Sequence, residues 1–399
     1  MFPRLNGSSV LPKDAAAAKL IGRAWVPGKP AGPAVVVIRG KDVFDISASA
    51  STVAALLEDG SLCHALESSQ GARLGNVDEL LANSSADARD PSLPYFLAPV
   101  DLQAIKACGV TFAVSMLERV IEEQAKGVPA EAKQIRATIN HEIGGDIAAV
   151  KPGSEEAGRL KNVLISRGLW SQYLEVGIGP YAEVFTKAQP MSAVGIGSEI
   201  GIHPESTWNN PEPEVVLIVN SRGEIVGATL GNDVNLRDFE GRSALLLGRA
   251  KDNNASTALG PFIRLLDDTF DLDQVRRLDV QLKIEGEDGF VLADSSSMAM
   301  ISRDPAELVK QTISRNHQYP DGLALFTGTM FAPTHDRDTP GSGFTHKIGD
   351  VVTISTPSLG ALVNRVNLTT AVEPWNFGTG KLMQNLARRG LLQDRNGEQ

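Results

Sequence analysis

The stretch of sequence that decides the fold of this chain is residues 209–263, NNPEPEVVLIVNSRGEIVGATLGNDVNLRDFEGRSALLLGRAKDNNASTALGPFI. Its uninterrupted apolar run, Val215–Val219, predicts a buried strand. A turn sequence, Asn220–Gly223, follows this run, and residues 224–230 predict a second strand that returns beside the first. We therefore expect the chain to be organised around a β-hairpin.

Three carboxylates are predicted to meet at the open end of this hairpin. Glu212 and Glu214 are two residues apart, so both face the same side of the strand, and the returning strand leads to Asp233. Carboxylates brought so close repel each other unless a cation lies among them. Oxygen ligands favour Mg²⁺ over Zn²⁺, and they are also compatible with Mn²⁺ or Ca²⁺. The alternative is a solvated strand face, which is what an E-x-E pattern alone usually indicates.

The composition limits the classes of protein to which this chain can belong. Its 399 residues, 42% apolar and 22% charged, have the make-up of an ordinary globular protein of two or three domains. A net charge of −10 with only 5% aromatic residues argues against nucleic-acid binding, which usually requires a basic face. No apolar run approaches the roughly 20 residues of a membrane span, and the N-terminus lacks a signal-peptide core. With only Cys63 and Cys108, the sequence predicts a reduced, cytoplasmic protein.

The order of the predicted elements indicates an α+β fold. Residues 1–100 predict a small N-terminal α/β unit, and residues 101–399 a larger catalytic domain. Residues 113–124 predict an amphipathic helix. A helical insertion at about 119–180 follows, and such insertions serve as lids or partner contacts, with plain packing an equal alternative.

The remaining elements are predicted from residue periodicity and from turn and capping residues. Strands are predicted at 34–39, 43–46, 183–187, 195–202, 323–326, 351–355 and 359–366, and in 277–292 around a turn at 286–289. Helices are predicted at 52–57, 77–81, from a Ser154 cap to Gly168, at 304–316 and in the tail from Gly378.

Several short motifs in this chain resemble, in their order, those of the fumarylacetoacetate hydrolase family. They are F-T-K at 185–187, E-P-E at 212–214, N-D-x-x-x-R-D at 232–238, Lys251, T-G-T at 327–329, K-I-G-D at 347–350 and G-A-L-V-N-R-V at 360–366. The likeness covers about half of the chain. It implies a C-terminal mixed β-sandwich roll, Mg²⁺, a 2-keto acid or diketone substrate, and a homo-oligomer, either a dimer or a tetramer.

The same resemblance implies roles for individual residues. Glu212, Glu214 and Asp233 match the metal ligands of the family, and Lys251 matches a lysine near that metal. The residues that would hold substrate oxygens are Lys187, Thr327, Gly328 and Thr329.

One departure from the family pattern bears on the chemistry. Members that hydrolyse carbon–carbon bonds carry a His-x-x-Glu pair on a lid helix, where it activates water. This chain keeps the glutamate as Glu118 but has Ser115 in place of the histidine. Because the pKa of a serine hydroxyl is too high for a general base, enolisation with loss of hydroxide suits the site better than hydrolysis. Glu118, positioned or relayed by Ser115, is then the candidate acid/base, and Lys251 a second one.

The motifs together most resemble the sugar-acid branch of the family, the 2-keto-3-deoxypentonate dehydratases. The resemblance implies conversion of such an acid to 2,5-dioxopentanoate in non-phosphorylative pentose catabolism. One alternative is a hydrolase of acylpyruvates or 2,4-diketo sugar acids, and another is a catalytically silent metal-binding protein. The sequence leaves open whether Glu122, Glu123 or His141 enters the site.

Overall fold

The structure is a computed structural model of the chain. It describes residues 2–60, 62, 66–67, 69–126, 128, 131–132, 135, 150–166, 168, 170–331, 333, 335–339 and 343–392. His141, and the residues Cys63 and His64 of the N-terminal unit, lie outside the described residues.

The described residues form eighteen strands and eleven α-helices. The strands are β1 Leu20–Val26, β2 Gly32–Arg39, β3 Asp42–Asp45, β4 Ala72–Asn76, β5 Tyr95–Leu97, β6 Ala104–Gly109, β7 Glu183–Ala188, β8 Glu199–Ile202, β9 Asn209–Asn210, β10 Pro213–Val219, β11 Ile225–Asp233, β12 Asn235–Leu236, β13 Thr257–Leu265, β14 Asp279–Glu285, β15 Val291–Ser297, β16 Leu323–Phe326, β17 Val351–Thr356 and β18 Gly360–Leu368. The helices are α1 Gly7–Val10, α2 Val53–Leu57, α3 Val77–Ser84, α4 Ala113–Gln124, α5 Glu155–Ser166, α6 Gln172–Ile178, α7 Arg237–Glu240, α8 Leu247–Ala250, α9 Leu272–Val275, α10 Pro305–Thr312 and α11 Thr379–Arg388.

The predicted hairpin is confirmed as the antiparallel pair β10 and β11. Glu214 lies opposite Gly231, and Pro213 lies opposite Asn232. Every residue of β10 is buried, as its apolar run predicts. The open end of the hairpin therefore carries the glutamates on one strand and Asp233 at the end of the other.

The hairpin lies inside a large mixed sheet. The sheet order is β4-β3-β2-β1-β13-β11-β10-β16-β6-β7, with β5 paired to β1, and β16 runs parallel to β6. The N-terminal strands enter this sheet where β1 pairs with β13, with Ile21 opposite Ile263. Strands from before and after residue 100 thus belong to one sheet. The domain boundary predicted at residue 100 stays a prediction.

A second sheet packs against the first and completes the predicted α+β sandwich. Its order is β15-β14-β17-β18-β8, with β18 parallel to β8. One core cluster includes Val215 and Leu217 of β10 together with Leu282 of β14 and Ile354 of β17. Burial of these apolar side chains between the two layers holds the hairpin in place.

Several elements differ from the sequence-based expectations, and strands β1, β4 and β6 were not predicted. The strand expected at 195–202 begins only at Glu199, because Gly195 lies against the backbone of Leu97 and Gly197 has a φ of +79°. The helix expected to reach residue 316 ends at Thr312. Strand β13 was not predicted, since the Gly260-Pro261 pair argues against a strand interior. An irregularity in its pairing with β11, opposite Gly260, accommodates the proline.

The helical insertion packs around a core of its own. Helices α4, α5 and α6 contribute Val120, Ile121, Leu164 and Leu174 to one apolar cluster, which also contains Trp208. Helix α4 has the bounds that its apolar periodicity predicts. Within the described part of the chain, every helix is too short or too polar to cross a bilayer.

Candidate active site

The structure brings together the three carboxylates that the sequence predicts as metal ligands. Glu212, Glu214 and Asp233 each offer an oxygen, and these oxygens all lie within 4.8 Å of one another. Their exposed fractions are only 4%, 1% and 1%. Glu212 directly precedes β10, Glu214 lies within it and Asp233 ends β11, so the pairing of the two strands brings the three carboxylates together.

The T-G-T segment that follows β16 orients Glu214. The Gly328 backbone N–H donates to Glu214 Oε2 at 2.6 Å. Gly328 has a φ of +99°, and a Cβ at this position would collide with the Thr111 hydroxyl, so glycine is required there. The Thr327 hydroxyl donates to the Val215 carbonyl at 2.9 Å. Of the three predicted substrate-binding residues of this segment, Gly328 therefore contacts a triad carboxylate, and Thr327 bonds the backbone of β10 beside it.

Two lysines converge on Asp233. The Lys187 and Lys251 ammonium groups lie 2.7 and 2.9 Å from Asp233 Oδ1. Burial alone would raise the pKa of Asp233, but the two lysines outweigh burial and lower it. Lys187, predicted to bind substrate, is fully buried, and burial lowers its pKa. Its position beside the triad indicates a charge-balancing role.

Negative charge exceeds positive charge around the triad. Burial raises the pKa of Glu214 well above its ordinary value, and Asp233 and Glu212 raise it further. Burial likewise raises the pKa of Glu212 to about 7, although Arg119 and Lys251 oppose this.

The charge count fits a divalent cation. The carboxylates that line the cleft are Glu183, Glu212, Glu214, Asp233 and Glu240. Against these five stand three cations, Arg119, Lys187 and Lys251, which leaves a formal charge of two negative units. A hard divalent cation among the three triad oxygens balances that charge, so the residues fit the Mg²⁺ that the sequence predicts.

A cleft opens onto the triad. Besides the triad, it is lined by Cys108, Gly109, Val110, Ser115, Arg119, Tyr173, Glu183, Phe185, Glu240, Ala244, Leu247, Lys251 and Thr329. Among the described residues, no histidine belongs to this lining. The described lining therefore offers carboxylates, hydroxyls, the Lys251 ammonium group, the Arg119 guanidinium and the Cys108 thiol as its reactive side chains.

Helix α4 presents two of its described residues to the cleft. Ser115 lines it, with its hydroxyl donating to the Phe112 carbonyl of the same helix at 2.9 Å. Arg119 lines it one turn later and donates to Glu212. Glu118, the predicted acid/base, is buried with 7% exposure but lies outside the lining formed by the described residues.

The cleft residues that the sequence reasoning missed include Arg119, Tyr173, Glu183 and Glu240. A signal for Glu183 was present, because it lies four residues before Lys187 on a strand and so faces the same side. Glu240 has a weaker signal, since it ends the helix that begins within the N-D-x-x-x-R-D motif. Arg119 and Tyr173 have no local signal, because their positions depend on how the insertion packs.

The comparisons with known proteins agree with this architecture. Residues 178–367 match the family described as fumarylacetoacetate (FAA) hydrolase C-terminal. A 2-dehydro-3-deoxy-D-arabinonate dehydratase of Saccharolobus solfataricus is 34% identical over 184 residues, or 46% of this chain and 58% of that protein. A probable 2-keto-3-deoxyxylonate dehydratase of Haloferax volcanii is 32% identical over 194 residues, or 49% of this chain and 63% of that protein. The chain thus spans about six tenths of the length of these curated relatives.

The fold is similar to that of solved sugar-acid enzymes. A 2-keto-3-deoxy-D-arabinonate dehydratase in its apo form has a TM-score of 0.60 and 22% identity, covering 88% of this chain and 99% of that chain. A structure of such a dehydratase complexed with magnesium and 2,5-dioxopentanoate gives the same values. The α+β fold predicted from the sequence is confirmed. The match to the fumarylacetoacetate hydrolase C-terminal family spans residues 178–367 of this chain.

Proposed function

We propose that this protein is a magnesium-dependent dehydratase that converts a 2-keto-3-deoxypentonate to 2,5-dioxopentanoate. The observation that carries the proposal is the chemistry of the cleft. It combines a carboxylate triad with cationic groups, and Ser115 stands where hydrolytic members of the family carry a histidine. Without that histidine the water-activating pair of the hydrolytic members is incomplete, whereas elimination needs only proton transfer and charge stabilisation.

The two curated relatives support the proposal because both are named as dehydratases of 2-keto-3-deoxy pentonic acids. The solved dehydratase that holds magnesium and 2,5-dioxopentanoate shows that the proposed cofactor and product occur together in a protein of this fold. The place in pentose catabolism follows from the substrate and is part of the same proposal.

The reaction breaks the C3–H and C4–O bonds of the substrate and releases one water. This leaves a C3–C4 double bond conjugated with the keto group. Transfer of a C5 proton to C3 then gives the C4–C5 enol, and tautomerisation of that enol gives the 2,5-dioxo acid. When bound at the triad, a divalent cation supplies the positive charge that stabilises negative charge on the keto oxygen. Lys251 lies 3.7 Å from Glu212 and 2.9 Å from Asp233, so its ammonium group adds positive charge at the same place.

Glu183 is a candidate for the proton transfer in addition to the predicted Glu118. Its carboxylate lines the cleft and forms no hydrogen bond or ion pair with another described residue. Burial raises the pKa of Glu183, although Arg119 opposes this. A raised pKa suits a carboxyl group that accepts the C3 proton and returns one to the leaving hydroxide. The absence of a side chain at Gly109 leaves room for this carboxylate across the sheet.

Substrate oxygens need donors in the cleft. Thr329 lines the cleft, and its hydroxyl donates a hydrogen bond to the Phe331 carbonyl at 3.0 Å. Tyr173 lines it from α6, with its hydroxyl donating to the Glu240 carbonyl at 3.3 Å. We propose that these two hydroxyls turn from the carbonyls to donate to the substrate, and that Lys251 contacts it as well. The Gly328 N–H and Lys187 contact the triad carboxylates.

Mass spectrometry of the product tests the proposal. We expect purified protein with Mg²⁺ and 2-keto-3-deoxypentonate to yield a five-carbon product that is lighter by one water. Release of pyruvate from a 2,4-diketo acid, with no dehydration, would instead establish the hydrolase alternative. Mg²⁺ binding without turnover of either substrate would favour a catalytically silent protein.

Two conservative variants separate the candidate acid/base residues. If Glu183 transfers the proton, Glu183→Gln lowers kcat by about 10²-fold or more and leaves Mg²⁺ affinity nearly unchanged. Glu118→Gln is the matched variant on α4. Full turnover in Glu118→Gln would remove Glu118 from the mechanism, and full turnover in Glu183→Gln would remove Glu183.

The remaining parts of the proposal concern the cation and the assembly. Mn²⁺ or Ca²⁺ replaces Mg²⁺ in the proposed site if reconstitution with either ion restores turnover. The homo-oligomer, dimer or tetramer, and the cytoplasmic location stay predictions. Light scattering of the purified protein measures the number of subunits in the assembly.

A further inference from the structure

Arg119 lies at the centre of a buried ion-pair network that reaches the triad. Its guanidinium Nη2 lies 2.7 Å from Glu212 Oε1, and its Nη1 lies 2.7 Å from Glu240 Oε2 and 3.0 Å from Glu122 Oε2. The Arg119 side chain is 12% exposed, and the three carboxylates are 8% exposed or less. Interactions between charges at these distances are strong where water is excluded.

The network joins the helical insertion to the metal site. Arg119 belongs to α4, whose apolar face packs with α5 and α6. Glu212 precedes β10 in the central sheet, and Glu240 ends α7. Among the described residues, Arg119 is the only cation of the insertion that contacts a residue of the triad.

Two positive groups compete for the Glu212 carboxylate, namely the Arg119 guanidinium and a divalent cation at the triad. As a triad member it is available to a divalent cation, yet its Oε1 already accepts a hydrogen bond from Arg119. A guanidinium this close to Glu212 repels a divalent cation at the triad. Arg119 also has Glu122 and Glu240 as partners, so it keeps two carboxylate contacts if it leaves Glu212.

We propose that Arg119 is a positioning residue that competes with the divalent cation for Glu212, so that binding of the cation loosens the contact between α4 and the triad. The inference rests on the metal site of the proposed function but not on its reaction. Occupation of the triad and the position of the insertion over the cleft are then coupled through one side chain. The coupling is reciprocal, since whatever holds Arg119 on Glu212 weakens cation binding.

Calorimetric titration with Mg²⁺, without substrate, tests the competition. We expect Arg119→Met to bind Mg²⁺ roughly tenfold more tightly than the unaltered protein, because a repelling charge is removed. Arg119→Lys keeps the positive charge, so we expect its Mg²⁺ affinity to stay within about threefold of that of the unaltered protein. Arg159→Gln is the matched control, since Arg159 lies exposed on α5 of the same insertion. Weaker Mg²⁺ binding by Arg119→Met would overturn the inference, because it would show that Arg119 merely holds Glu212 in place.

Amide hydrogen exchange of the unaltered protein provides a second test that does not depend on a variant folding. We expect Mg²⁺ to slow exchange in β10 and β11 while it accelerates exchange in α4. Protection of α4 together with the strands would overturn the inference, as would a lack of Mg²⁺ binding. Failure of dehydration with intact Mg²⁺ binding would overturn only the proposed function.

Discussion

Replacing Lys187 by methionine separates the two roles that the sequence and the structure suggest for this residue. The side chain is fully buried, and its ammonium group lies 2.7 Å from Asp233 Oδ1. Methionine preserves most of the apolar stem and removes only the charge. Asp233 then retains Lys251 alone, at 2.9 Å. The formal charge around the triad changes from two to three negative units.

The magnitude follows from breaking a buried ion pair. Removing one partner of such a pair costs about 3–5 kcal/mol, because the other charge stays buried without compensation. Burial also lowers the pKa of Lys187 itself, and relief of that cost places the expected loss near the lower end, about 3 kcal/mol. Saturating Mg²⁺ should reduce the difference in free energy of unfolding between Lys187→Met and the unaltered protein, because the more negative site of the variant binds the cation more tightly.

Urea denaturation in the presence of a metal chelator, monitored by tryptophan fluorescence, measures this loss of stability. Lys283→Met is the matched control, since Lys283 is an exposed strand lysine paired with Glu285, and surface pairs of this kind contribute little. Steady-state kinetics complete the comparison. A variant with unchanged free energy of unfolding and a KM raised tenfold or more would refute the reasoning, and it would establish Lys187 as a substrate ligand.

Three further predictions follow from the same geometry. Gly328→Ala should destabilise the protein by roughly 1–3 kcal/mol and lower turnover, because the new Cβ meets Thr111 and the amide of residue 328 shifts from Glu214. Gly289→Ala, at a φ of +83° with open space around it, isolates the backbone strain in the same measurements. Glu214→Gln should weaken Mg²⁺ binding at least tenfold by calorimetry, and chelation of the metal should abolish turnover until Mg²⁺ is returned. Burial lowers the pKa of His346 below its ordinary value of 6.5, although Asp350 opposes this, so the unfolded chain takes up the proton first. The free energy of unfolding should therefore fall as the pH drops below about 6.5. His346→Gln should flatten that dependence, and His317→Gln, at an exposed site, should not.

The central hairpin and its carboxylates could be predicted because their determinants are local. The apolar run of β10, the turn after it and the two-residue spacing of Glu212 and Glu214 are all read from neighbouring residues. Strand periodicity fixes which side chains share a face. The bounds of α4 follow in the same way from apolar residues at helical spacing.

The contacts around the triad are set by the tertiary structure. The family resemblance implied that Gly328 and Lys187 bind the substrate, whereas in the structure both lie against triad carboxylates. Strand β16 lies beside β10 in the sheet although more than 100 residues separate the Gly328 amide from Glu214. No local pattern encodes such a contact.

The sequence by itself thus determined the hairpin and the carboxylate triad, and its motifs carried the resemblance to the fumarylacetoacetate hydrolase family. The packing of the insertion decided that Arg119 rather than Glu118 faces Glu212, although the two residues are adjacent. The tertiary structure also placed Glu183 and Glu240 in the cleft. The physical reason is that strand and helix periods fix only the direction of a side chain relative to its own element. Which charges meet depends on how distant elements pack, and that is set by burial of the shared core.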